Sequence, residues 1–93
     1  MSNSQSGATY TELAGAGTYV VGTGLIYHDI IITSPAAGTV TVKDGNTVIV
    51  ASSSTANVGK LTEFASVVGD GIKMKGSLSA VVTGAATLLL IWE

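Results

Sequence analysis

Nucleophilic catalysis needs a nucleophile, a base and a group that orients the base. The chain holds one histidine, His28, and the carboxylate next to it in sequence is Asp29. Adjacent residues of a strand point to opposite faces, so Asp29 is badly placed to orient His28. His28 therefore reads as a packed or interface histidine. The six acids are Glu12, Asp29, Asp44, Glu63, Asp70 and Glu93. Asp44 and Asp70 each precede a glycine, which is turn chemistry, and Glu93 is the last residue. Glu12, Asp29 and Glu63 show no spacing that supports a general acid–base pair. The expectation is a protein with no catalytic residues that is not an enzyme.

Cofactor signatures are equally thin. Gly15-Ala16-Gly17 and Gly22-Thr23-Gly24 lack the third glycine of a dinucleotide fingerprint, and neither opens a helix after a buried strand. Gly59-Lys60 runs into Leu61 with no glycine at the offset a phosphate-binding loop requires. Asp44-Gly45-Asn46 is too short for a calcium loop. With no cysteine and one histidine, thiolate and histidine-rich metal sets are excluded. No cofactor and no metal are expected.

Charge narrows the partners. Only 11% of residues are charged, against about 25% in ordinary soluble domains. The basic residues are Lys43, Lys60, Lys73 and Lys75, with no arginine, and the net charge is −2. A chain without excess cations is a poor phosphate ligand, so no nucleic-acid partner is expected. The longest apolar run, Leu88 to Trp92, is far short of the roughly 20 residues of a membrane-spanning helix, so no membrane partner is expected. The opening Met-Ser-Asn-Ser-Gln-Ser-Gly has neither the basic nor the apolar stretch of a secretory leader; synthesis in the cytoplasm is expected. A mean hydropathy of +0.53 with so few charges leaves little protection against association. Much of the surface is therefore expected to be covered in the working state, first by further copies of the chain. The aromatics are Tyr10, Tyr19, Tyr27, Phe64 and Trp92, and tyrosines in such a setting favour interfaces over a sugar platform. The candidate contact residues are Tyr10, Leu13, Tyr19, Leu25, Tyr27 and Ile31.

The elements that must position these residues read as strands. Val occurs 11 times and Thr 12 times, residues that suit a pleated, half-buried surface. Residues 1–13 read as an extended N-terminal arm anchored by Tyr10 and Leu13, with Glu12–Gly17 as the one place for a weak helical turn. A single domain over residues 14–93 follows. Strands are expected at Thr18–Thr23 and at Leu25–Thr33. In the latter Ile26, His28, Ile30 and Ile32 share one face, and Leu25, Tyr27, Asp29 and Ile31 the other. Thr39–Lys43 and Thr47–Ala51 flank Asp44-Gly45-Asn46, a strong hairpin signal. Lys60–Val68 reads as a strand, although Leu61, Phe64, Ala65 and Val68 also satisfy a helical period. Ile72–Lys75 alternates, with Ile72 and Met74 inward. A second hairpin is expected from Leu78–Thr83 and Ala86–Glu93 around Thr83-Gly84-Ala85. The last strand is apolar on both faces, so it belongs at the centre of a sheet or beneath an interface. About eight short antiparallel strands without a long helix imply an all-β fold, a small β-sandwich of jelly-roll type.

The glycine-punctuated runs Leu25–Thr33, Ala37–Gly45, Gly71–Ser79 and Val82–Ala85, followed by a final β-run, make residues 18–93 resemble the small β-sandwich capsid decoration (cement) proteins of tailed bacteriophages. The resemblance rests on strand lengths and turns, without an invariant chemical motif. It implies a structural virion protein on the outer surface of the capsid. Such a protein is often a trimer, bridging neighbouring major capsid protein subunits through an N-terminal arm and covered faces. The other reading in view is a phage tail or fibre module that binds a receptor or a carbohydrate.

Overall fold

Runs of Val, Ile and Thr with few helix formers leave the backbone hydrogen bonds to be made between segments. The computed structural model describes residues 7–61 and 71–93. Among them are nine strands: β1 (Thr9–Ala14), β2 (Gly17–Thr23), β3 (Ile26–Ser34), β4 (Thr39–Asp44), β5 (Thr47–Ser54), β6 (Gly59–Lys60), β7 (Ile72–Lys73), β8 (Ser77–Val82) and β9 (Thr87–Trp92). The expected all-β sandwich of short antiparallel strands is what the chain forms.

Sheet A runs β1-β9-β3-β6, with β7 also on β3, and sheet B runs β2-β8-β4-β5. The pairings are nested. β1 pairs β9, β2 pairs β8, β3 pairs both β7 and β6, and β4 pairs β5. This is the pairing of one long hairpin closed at Gly45-Asn46. Its arms bend so that successive segments fall into alternate sheets. The two sheets are completed by the pairing of β3 with β9 and of β4 with β8.

The core lies between the sheets. Leu13, Tyr27, Ile30, Ile32, Leu88 and Leu90 enter from sheet A, and Val40, Val42, Val50, Leu78, Ala80 and Val82 from sheet B, all buried. Each of the larger aliphatic side chains contributes about 1.5–3 kcal/mol of burial. Thr55 is buried among them and is satisfied: its backbone N–H donates to the Gly38 carbonyl (3.1 Å) and its hydroxyl to the Ala36 carbonyl (2.9 Å).

Four expectations change. First, Thr9–Ala14 is not an arm but an edge strand in regular register with β9, so the sandwich begins at Thr9. Leu13 is fully buried, and the helical turn at Glu12–Gly17 does not form. Regular pairing with β9 satisfies the backbone groups on one side of this segment, and two glycines would disfavour a helix there. Second, β3 does not alternate throughout. Its pairing with β9 slips between Tyr27 and Asp29, a bulge that inserts one residue and changes the parity of the strand. Tyr27 consequently shares the core face with Ile30 and Ile32, while Ile31 faces away. Third, the expected hairpin at Thr83-Gly84-Ala85 is a corner: β8 lies in sheet B and β9 in sheet A. The corner is held by Thr83, whose N–H donates to the Thr39 carbonyl and whose Oγ1 accepts from the Thr39 N–H, at 2.8 and 2.9 Å. Fourth, the run at Lys60 is the short β6. The rest of the strand expected over Lys60–Val68, and the arm residues 1–6, lie outside the described residues.

The Asp44-Gly45-Asn46 hairpin forms as expected and does more than turn the chain. The Asp44 carboxylate accepts from the Lys75 N–H (2.9 Å) and the Gly76 N–H (2.6 Å), and Gly45 N–H donates to the Ser77 carbonyl. These hydrogen bonds, from Lys75 first and Gly76 second, hold the Asp44 carboxyl below its ordinary value of 3.8. A depressed folded-state value stabilises the fold above the ordinary carboxylate range, and that contribution is lost as pH falls through the folded-state value. Thermal melts of Asp44→Ala and the native chain across pH should show the variant less stable near neutrality. The gap should narrow as pH drops below the ordinary carboxylate range; a gap independent of pH would refute the capping role.

Candidate interaction surface

The six candidate contact residues separate into three groups. Leu13 and Tyr27 are in the core, with no exposed surface, and are corrected from contact residues to core residues. Tyr19 and Leu25 are half-buried and pack against the core. The Tyr19 hydroxyl lies at 3.1 Å from the Ala14 carbonyl and 2.8 Å from the Gly15 carbonyl. It therefore clamps the turn joining β1 to β2. Only Tyr10 and Ile31 remain on an outer surface. Tyr10 is 62% exposed, and Ile31 is half-buried.

These two share the solvent side of sheet A. Paired residues of antiparallel strands share a face, so the registers define rows across the sheet. One row runs Glu12–Leu89–Ile31–Lys60 and a second runs Tyr10–Ile91–Asp29. Leu89, Ile91 and Ile31 are half-buried and belong neither to the core nor to the apolar residues packed on it. The centre of this face is thus mostly apolar, with the buried Asp29 beside Ile91, and Glu12 and Lys60, both exposed, stand at the two ends of one row. Leu89 and Ile91 were not among the expected contacts. Their signal was the last strand, apolar on both faces: the core, which takes Leu88 and Leu90, accounts for one face only.

At one end of the same sheet His28 Nε2 meets Glu93 Oε1 at 3.1 Å, an ion pair when the imidazole is protonated. Ile26 and Glu93 exchange both backbone hydrogen bonds at 2.8 Å, which brings the two side chains together. The carboxylate on His28 is therefore Glu93, 65 residues away in sequence, and not Asp29. Asp29 accepts from the Ile30 N–H at 2.7 Å and is buried. A histidine held by a carboxylate is two parts of a catalytic triad, and among the described residues no hydroxyl is hydrogen-bonded to it to supply the third.

The solvent side of sheet B is mixed. Its rows read Val20–Ser79–Lys43–Val48 and Thr18–Val81–Thr41, with Val20 and Val48 exposed. Hydroxyls and a lysine interrupt the apolar residues here, so this face is better solvated than the centre of sheet A. Among the described residues, no group of three or more His, Asp or Glu side chains is placed to hold a metal ion. Comparisons with protein-family models, curated proteins and solved structures find no match.

Proposed function

We propose that the chain is a non-enzymatic structural protein of a virion that binds other protein surfaces, in the first place a bacteriophage capsid decoration protein bridging major capsid protein subunits. The observation that carries the protein-binding reading is the apolar centre of the outer face of sheet A, where Leu89, Ile91 and Ile31 lie beside an exposed Tyr10. A sheet face that only met water would alternate to polar residues at these positions. Low charge supports the same reading, since few ions need to be desolvated when such a face is covered. Contacts worth little singly become durable when many copies engage one lattice.

The nested pairing supports a jelly roll, an architecture found in viral capsid proteins and also in lectins and cupins. It is compatible with the virion reading, and the capsid assignment itself rests on the resemblance of residues 18–93. Quantitative mass spectrometry of particles of the virus that encodes the chain tests it. A decoration protein will appear in a copy number proportional to the major capsid protein. A few copies per particle would shift the assignment to the tail or fibre, and absence from particles would end the virion reading.

A further inference from the structure

We infer that the outer face of sheet A is the interface of a two-fold dimer of this chain. The order of residues in one row points to it. Glu12, Leu89, Ile31 and Lys60 lie side by side on β1, β9, β3 and β6. The row reads acid, apolar, apolar, base. A two-fold axis parallel to the strands, passing between β9 and β3, lays the row of one copy over the reversed row of the other. Glu12 then faces the partner's Lys60, and Leu89 faces the partner's Ile31, each twice. An isologous interface demands this self-complementarity, and a row with like charges at its ends would forbid it.

Within one copy the two charges do not serve each other. Three strand spacings separate Glu12 from Lys60, about 14 Å between their backbones, with Leu89 and Ile31 standing between them. Among the described residues the ion pair is His28 with Glu93, not either of these. The face carries further ionisable groups: Asp29, already buried and accepting from the Ile30 N–H, comes opposite the partner's Ile91, and His28 is paired with Glu93 within one copy. Ile72 packs on the core, so Lys73 points outward at the far end of the face. There the same operation brings it over the partner's chain just before Thr9, where Ala8 carries no charge and the Glu93 carboxylate lies against Gly7. Face-to-face sheets pack with their strands within about 30° of each other, an angle that a two-fold axis bisecting the strand directions provides. The dimer does not depend on the virion reading: the resemblance implied a trimer, whereas the row favours a two-fold axis.

The test uses sedimentation equilibrium and light scattering on the full native chain and four further preparations: Glu12→Lys, Lys60→Glu, the double exchange, and an equimolar mixture of the two single variants. The native chain should be a dimer. Each single reversal sets like charges together at two symmetric contacts and should raise the dissociation constant about tenfold or more. The double exchange restores both pairs and should restore the dimer. The mixture should form a heterodimer. In it the lysine introduced at position 12 of one chain meets the glutamate introduced at position 60 of the other, while the native pair survives at the second contact. Circular dichroism confirms that each variant is folded. A native chain that is monomeric or trimeric overturns the inference and leaves the face to a different partner. So do single variants that associate like the native chain, or a double exchange that fails to recover association.

Discussion

Gly84→Ala should destabilise the domain by about 2–5 kcal/mol, a large part of the roughly 5–14 kcal/mol that a chain of this size possesses. Gly84 sits in the corner that carries the chain from β8 in sheet B to β9 in sheet A, with φ at +84°. A side chain in the left-handed region costs about 1–2 kcal/mol. The added Cβ would also collide with the Ala37 carbonyl oxygen and lie 3.0 Å from Gly38 Cα. Both obstacles are backbone. They belong to the opposite corner between β3 and β4, which Thr55 and Thr83 hold by hydrogen bonds. Overpacking against atoms that cannot yield adds about 1–3 kcal/mol. Gly24→Ala is the control: φ there is +70°, but nothing lies within 4 Å of an added Cβ. Urea unfolding of the two variants separates the terms, and equal losses would show that the two corners are not in contact.

The second large effect is Tyr27→Ala, expected to cost about 3–5 kcal/mol through lost burial and the cavity left behind. Tyr27 has no exposed surface and lies beside Trp92 on one neighbouring strand and Ile72 on the other. Tyr10→Ala, at a position 62% exposed, should change monomer stability by no more than about 0.5 kcal/mol. Thermal and denaturant unfolding at a concentration where the chain is monomeric gives both numbers. A comparable loss for the two tyrosines would contradict the placement of Tyr27 in the core and Tyr10 on the surface.

That contrast marks where legibility stops. From the sequence alone, Tyr10, Tyr19 and Tyr27 were the same kind of residue, an aromatic with a polar tip on a strand. In the fold Tyr27 is core, Tyr19 clamps a turn and Tyr10 faces solvent. The parity of β3 separated Tyr27 from Ile31, and a bulge set that parity. A bulge depends on the partner strand, so no periodicity within Leu25–Thr33 could reveal it. Similarly, His28 found Glu93 only because β3 and β9 are neighbours in sheet A.

Local chemistry decided a good deal by itself. The β-branched composition and the lack of a helical period over most of the chain determined an all-β fold. Asp44-Gly45 determined the central hairpin, because a two-residue turn needs residues that tolerate its backbone angles and a side chain that can bond nearby N–H groups. Alternation placed Val40 and Val42 inward, and Ile72 and Met74 likewise. The tertiary structure alone decided which strand lies beside which. The peptide at Thr83-Gly84-Ala85 could have closed a hairpin or turned a corner, since a glycine with a positive φ serves either. The choice fell to the corner because Leu88 and Leu90 had to complete sheet A while Leu78, Ala80 and Val82 completed sheet B. The same long-range packing put Glu12 and Lys60, 48 positions apart in the chain, at opposite ends of one row.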